Sequence, residues 1–441
     1  MKIKQHIKET LLLAFPISIG QLGHIMMGVV DSIMVGKVGT DSLAAAALVN
    51  GLFFLTLVIG IGLSMAATPF ISFSKGEKNF DECGNVLAHS FALNLFFSLF
   101  LSLITYSTTF IIPFLNQPEN VVKLAIPYMK VLSLSVIPFM MFQTFRQFLE
   151  GLSFPKSPMF IAILANLFNA FFNWIFIYGK LGFPSLGLFG AGIATTLTRW
   201  LMAFALIFIV FNHTKVKIYN PRIFIKKYDL ILIKRLTQIG LPSGFQYFLE
   251  VAAFSFSAIM IGWLGSPQLA AHQIALNLAS VTYMIILGIA SAGTIRVGEF
   301  LGEKNLIKVR HAGFTAFAIA ITIMFCFGIS FIILKNILPT FYVNDLEVIK
   351  IASSLLIVAA LFQIFDGMQA TGIGVLRGLM DVKIPLLISI FSYWLIGIPI
   401  GAMLGFYFKM NALGIWIGLL IGLLILGISM LTRFYHKTNI K

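Results

Sequence analysis

Three carboxylates stand inside long apolar runs of the chain: Asp31 within GHIMMGVVDSIMVG, Glu250 within PSGFQYFLEVAAFSF and Asp366 within LFQIFDGMQATG. An ionisable group held in hydrocarbon costs roughly 2.5–3.5 kcal/mol on insertion scales, so each is by default a candidate for carrying an ion or a proton. None has a Lys or Arg one helical turn away that would make it a plain structural ion pair. The competing reading is a protonated or hydrogen-bonded structural acid.

Around Asp31 the spacing gathers further oxygens. At 1.5 Å per residue Asp31 lies about 30 Å along its helix from the basic end, and Thr195 falls about 12 Å inside its own span. Asn169 and Asn173 are four apart and share a helix face. A carboxylate, two amides and a hydroxyl at similar depth supply hard oxygen ligands for a small cation, or hydrogen-bond partners for a carboxyl that takes up a proton. Any one of these amides or hydroxyls alone would read as an interhelical packing group. Glu250 and Asp366 lie in mid-span in the second half of the chain.

Other polar groups carry weaker readings. His24, His89 and His272 fit no metal-ligand spacing and are expected to pack or hydrogen-bond. Arg146, Glu150, Arg377 and Asp381 read as helix-end charge, with a charge-pair latch as the alternative. Forty-five Phe and 18 Met offer adaptable surface for flat organic cations, although most should face lipid.

The elements that must position these groups are membrane helices. Of 441 residues, 59% are hydrophobic and 11% charged, with a mean hydropathy of +0.96; both a soluble and a disordered chain are excluded. Apolar stretches long enough to cross about 30 Å of hydrocarbon fall near 11–36, 46–73, 85–112, 125–150, 159–180 and 187–211. Six more fall near 236–264, 270–298, 312–338, 348–375, 384–406 and 411–433. The first is too long for a signal peptide and carries Asp31, so it reads as a retained helix. The expected fold class is an all-α membrane protein of 12 transmembrane helices.

Sliding the second half back by 226 residues superimposes the halves. Pro16 meets Pro242, Gly36 and Gly39 meet Gly262 and Gly265, Gly62 meets Gly288, and Gly76-Glu77-Lys78-Asn79 meets Gly302-Glu303-Lys304-Asn305. Each half holds an even number of spans, so the repeats are parallel: two six-helix lobes related by pseudo-two-fold symmetry about the membrane normal. The lobes are expected at 1–211 and 236–441, joined by a basic linker at 212–235. Pro16 and Pro242 repeat a helix-breaking residue near the start of spans 1 and 7 and are candidate hinges. The chemistry is not repeated: Ser257 stands at the register of Asp31 and His24 at that of Glu250, which points to two unlike sites.

The formal charge of +15 does not imply nucleic acid, because the basic residues sit in short gaps between spans. With the N-terminus in the cytosol, 23 of the 31 Lys and Arg fall on that side and seven on the other. Both termini are therefore expected in the cytosol, the protein being multi-pass in the cell (inner) membrane. Cys83 and Cys326 form neither a disulfide framework nor a metal cluster. An intramembrane enzyme would need a nucleophile with its base or paired metal ligands, and a channel a carbonyl filter; neither pattern is visible.

The 6+6 repeat, the P-x14-D spacing from Pro16 to Asp31, the VDSIMVGKVG stretch, Glu250 after Pro242 and Asp366 in span 10 resemble the multidrug and toxic compound extrusion (MATE) family, in its NorM-type bacterial branch, over nearly the whole chain. The resemblance implies a secondary active antiporter that exports organic, mostly cationic, compounds in exchange for inward Na+ or H+. It associates Glu250 and Asp366 with a cation site in the second lobe, Na+ being the candidate metal, and Asp31, Asn169, Asn173 and Thr195 with a first-lobe site. A related branch has an acid four residues beyond the first-lobe Asn; here NWIFIYG offers Tyr178 and no carboxylate. Small organic cations and membrane lipid are the expected partners, with no cofactor beyond the coupling ion and a monomeric chain. The alternative, a lipid-linked saccharide flippase of the same broad superfamily, would want a basic cavity for pyrophosphate. Three buried acids, with only Arg199 within a central span, argue against it.

Overall fold

A computed structural model describes residues 3–225 and 227–439; Met1, Lys2, Lys226, Ile440 and Lys441, three of them among the basic residues counted above, lie outside the described residues. Among the described residues twelve helices are long and apolar enough to cross a membrane: α1 (Ile3–Gly36), α2 (Thr40–Gly76), α3 (Phe80–Phe110), α4 (Glu119–Gly151), α5 (Lys156–Tyr178) and α6 (Gly187–Asn212) in the first half. The second half contributes α7 (Leu230–Gly262), α8 (Ser266–Gly302), α9 (Leu306–Leu334), α10 (Leu346–Gly378), α11 (Lys383–Tyr407) and α12 (Asn411–Lys437). Several outrun the apolar stretches because hydropathy registers only what sits in hydrocarbon, whereas α1 and α2 also include polar turns carrying Lys4, Lys8 and Asp41. Within α11 the winding loosens to π over Phe391–Gly397 and again over Met403–Tyr407.

The 226-residue offset is a structural register as well as a sequence one. Lys78 and Lys304 both adopt positive φ, 60° and 56°. The next residues cap the following helices alike: Asn79 accepts from the Glu82 amide at 3.3 Å and Asn305 from the Lys308 amide at 3.0 Å. Each cap satisfies one of the amides that a helix start leaves without an internal partner.

The chain forms two compact units. One is Ile19–Gly244; the other joins the residues up to Ser18 with those from Phe245 onward. This division differs from one at residues 211 and 236: it passes through α1 and α7, just beyond Pro16 and Pro242. Small residues give the reason. In the Ile19–Gly244 unit a Cβ on Gly62 would run into the Gly244 backbone, and one on Gly240 would sit 3.0 Å from the Leu63 carbonyl oxygen, so the start of α7 packs tightly on α2. In the second unit Gly288 takes the corresponding place against Ala14 and Ser18 of α1, and the Ser18 hydroxyl donates to the Ile285 carbonyl at 2.8 Å. Ser18 and Gly244 are themselves equivalents at the offset, so the exchange of leading half-helices belongs to the repeat.

The two anchorages differ in chemistry. Arg296 Nη1 donates to the His6 carbonyl and the Thr10 hydroxyl, both at 2.7 Å, and its Nη2 pairs with Glu9 at 2.9 Å. The start of α7 instead buries Leu232, Leu236 and Ile239. The basic linker is pinned to α3: Asn220 donates to Asp81 at 2.7 Å, and the Asp229 amide donates to His89 Nε2 at 3.1 Å.

Because the obstacle at Gly62 is backbone, it cannot rotate away, and overpacking of this kind costs about 1–3 kcal/mol or more. Gly62→Val is expected to lower the midpoint of thermal unfolding in detergent, while Gly28→Ala, where a Cβ meets nothing within 4 Å, leaves it unchanged. Equal midpoints for the two variants would refute the close packing.

Candidate functional site

In the Ile19–Gly244 unit, α1, α5 and α6 bring four side chains together. Asp31 is 8% exposed, Thr195 5%, and Asn169 and Asn173 are fully buried. Asn173 Nδ2 donates to Asp31 Oδ1 at 2.5 Å and to Asn169 Oδ1 at 3.2 Å, and the Thr195 hydroxyl donates to Asp31 Oδ2 at 3.1 Å. Asn173 Oδ1 has no hydrogen-bond partner among the described residues, so the cluster holds an unspent acceptor in a dry place, where such groups are normally paired. Tyr178 donates to the Met34 carbonyl at 2.8 Å and so ties α5 to α1 beside the cluster.

Arg199 of the same unit forms no salt bridge among the described residues, although its charge acts on Asp31. Its Nη1 donates to the Ser135 hydroxyl at 2.6 Å, and the guanidinium lies 5.0 Å and 5.1 Å from the ring centres of Phe53 and Phe139. Aromatic faces hold the cation by their quadrupoles. Among the described residues, none of Asp31, Glu250 and Asp366 forms a salt bridge.

The second unit builds a different cluster. Glu250 of α7 is 8% exposed and accepts from the Tyr283 hydroxyl of α8 and from Gln369 Nε2 of α10, each at 3.2 Å. Asp366, 4% exposed, shares α10 with Gln369 and has no hydrogen-bond partner or ion pair among the described residues. Glu250, Asp366, Tyr283 and Tyr393 lie within electrostatic reach of one another. The Gln369 carbonyl oxygen and the Tyr393 hydroxyl are buried without partners among the described residues, and Tyr393 sits in the π-wound part of α11, a winding often found at functional positions. Among the described residues no group of three His, Cys, Asp or Glu comes together. A cation here would be held by two carboxylates completed by amide and hydroxyl oxygens.

Sequence reasoning named Glu250 and Asp366 but missed Tyr283, Gln369 and Tyr393. A signal existed for the glutamine: Gln363, Asp366 and Gln369 repeat every three residues along α10, a polar stripe on one helix face. Gln363 lies on it too, accepting from Thr282 at 3.0 Å. The tyrosines carried no such pattern, since a phenol among 45 Phe reads as bulk. Pro16 and Pro242 lie inside α1 and α7.

The remaining polar residues have structural partners. His24 packs edge-on against Phe142 and Phe139, with ring centres 5.7 Å and 6.2 Å away, and His272 accepts from the Trp416 indole at 3.0 Å. Arg146 and Glu150 are not helix-end charge: they are 3% and 2% exposed, with Nε 2.6 Å from Oε1. The end of α4 is roofed by the last turns of α2, so close that a Cβ on Gly151 would press on Ile71. Arg377 is buried, and Asp381 pairs instead with Arg433 at 2.7 Å.

Comparisons with known proteins converge. The model of the MatE family matches residues 16–175 and 242–403, two segments whose first residues the 226-residue offset equates. The chain is 34% identical to the probable multidrug resistance protein NorM of Mesorhizobium japonicum, covering 99% of this chain and 95% of that one. It is also 34% identical to the multidrug resistance protein MdtK of Proteus mirabilis, covering 98% and 96%. Among solved structures, the eukaryotic MATE transporter AtDTX14 superimposes with a TM-score of 0.88 at 22% identity, covering 99% of this chain and 98% of that one. A MOP superfamily transporter from Pyrococcus furiosus, for which a reverse polarity of the binding pocket suggests a different function, superimposes equally well, at 0.88 and 22% identity over 98% and 96%.

Proposed function

The chain belongs to the MATE family, and from that premise we propose that it is a secondary active efflux antiporter, exporting organic, mostly cationic, compounds in exchange for inward Na+ or H+. The observation that carries the reading is Asp366, a buried carboxylate with neither an ion pair nor a hydrogen bond among the described residues. A permanently charged acid in that state is costly, so the site gains from any cation or proton that reaches it. Glu250 beside it adds a second negative group, and the orphaned Gln369 oxygen adds a neutral ligand.

Fold by itself does not choose the cargo, since a transporter with reversed pocket polarity shares it. The sign of the buried charge does. Acids without salt bridges suit a cationic cargo, and binding Na+ or H+ at Glu250 and Asp366 removes the charge that would hold it. Ion and drug then compete, and each must favour a different facing state, because a ligand shifts a conformational equilibrium only by its differential affinity. Exporting a monovalent cation against an inside-negative potential costs about 2.3 kcal/mol per 100 mV, which the inward ion balances.

Asp31, with Asn169, Asn173 and Thr195, forms the second coupling site in this reading: the free Asn173 oxygen and the carboxylate would face a small cation together, or Asp31 would take a proton. Pro16 and Pro242 would be the bending points of α1 and α7. We place both termini in the cytosol of a multi-pass inner-membrane protein on the distribution of basic residues, and assign the work to a single chain because one chain carries both clusters.

Everted vesicles containing the full-length protein and a fluorescent organic cation separate the coupling ions. A Na+ pulse and a pH pulse are expected to give different rates of dye movement, with one of them driving it. Dye movement indifferent to both gradients would reject antiport in favour of a passive pathway.

A further inference from the structure

Near the C-terminal end of α12 the second unit has a wide-open surface cavity of about 460 Å³ lined by Ile388 of α11 and by Ser429, Thr432, Arg433, His436 and Lys437 of α12. We propose that it receives the phosphate headgroup of an anionic glycerophospholipid. Two permanent cations converge on it, and among the described residues Asp381 is the only carboxylate paired with them. Arg433 Nε and Nη2 both reach Asp381 Oδ2, at 2.8 Å and 2.7 Å, and Lys437 Nζ stands 3.9 Å from the same oxygen. One negative charge shared between two positive ones leaves a net positive lining. Arg433 Nη1 and the Lys437 ammonium still have donors to give, the combination that holds phosphate oxygens.

The surroundings select a lipid rather than a free anion. Beside the cavity α11 exposes Ile384, Leu387, Phe391 and Leu395, spaced three or four residues apart along one face, and α12 exposes Ile428 next to Ser429. That is an acyl-chain track leading away from a basic, hydroxyl-lined head site at the end of a membrane span, where basic pockets between helices recognise anionic lipids. The feature is not scaffold shared by both halves. At the 226-residue offset α6 carries Leu206, Ile207, Val210 and Phe211 where α12 carries Thr432, Arg433, His436 and Phe211's counterpart Lys437.

Native mass spectrometry of the purified full-length protein, titrated with phosphatidylglycerol or with phosphatidylcholine of the same chains, tests the site. Wild type is expected to retain phosphatidylglycerol at least about fivefold more tightly, the value of one basic residue near a phosphate. Lys437→Gln should lose about that factor for phosphatidylglycerol and nothing for phosphatidylcholine, and Lys437→Arg should restore it. Lys437 is 52% exposed, so these changes leave the core alone. Thr432→Trp, which fills the cavity from an exposed position, should abolish the preference. Equal retention of the two lipids by wild type, a preference unchanged in both Lys437→Gln and Thr432→Trp, or displacement of phosphatidylglycerol by millimolar inorganic phosphate would each overturn the proposal.

Discussion

Asp366→Asn is expected to bring ion-driven efflux down to the rate of vesicles without the protein, at unchanged expression. The substitution keeps the shape of the side chain and removes only its ability to carry a negative charge or a dissociable proton. Two unit charges about 4 Å apart at an effective dielectric near 20 interact by about 4 kcal/mol, which is about a thousandfold in ion affinity. Asp366→Glu, which keeps the charge and shifts its position, should retain part of the activity. Stability separates this role from a structural one. Among the described residues Asp366 makes no hydrogen bond or ion pair that Asn would break, and burying a neutral amide is cheaper than burying a carboxylate. The Asn variant should therefore unfold at the same temperature as wild type or a higher one. Wild-type transport in Asp366→Asn would remove the residue from the coupling mechanism, whereas loss of transport together with a lower melting temperature would make it a structural acid.

What could be read from the sequence follows from how local each feature is. The Asp31 cluster needed only the rise of a helix, the i,i+4 rule and the depth of each span, and the structure brings Asp31, Asn169, Asn173 and Thr195 into one hydrogen-bonded group. The 226-residue repeat was equally plain, and it recurs in matching caps and backbone angles at Asn79 and Asn305. The division of the units was not legible, because it depends on which helix the first half of α1 or α7 packs against. Gly62 and Gly288 reveal that only once Gly244 and Ser18 are found opposite them. Tyr283 and Tyr393 escaped for a similar reason: a phenol brought near a carboxylate of another helix, as Tyr283 is to Glu250, leaves no spacing in the chain.

Arg146 and Glu150 show the same limit from the side of energetics, and they carry the second large expectation. Charged residues at the end of an apolar run read as solvated helix ends, but the return of α2 over the end of α4 leaves both almost without water. Removing one partner of a buried pair leaves an uncompensated charge, which costs about 3–5 kcal/mol, whereas replacing both by apolar groups of similar volume is often neutral or stabilising. Arg146→Met or Glu150→Leu alone should therefore lower the thermal midpoint in detergent sharply, and the double variant should recover most of the loss. Two singles and a double that simply add would refute the coupling. The same cycle decides whether the pair is a latch. Its members are four residues apart on one helix, so the bond between them does not change when α4 moves as a body, and it cannot by itself favour one facing state. Transport by the double variant should remain near wild type. A folded double variant without transport would give the pair a role in the cycle beyond its i,i+4 bond, through the donation of Arg146 Nη1 to Gln21 of α1 at 3.5 Å.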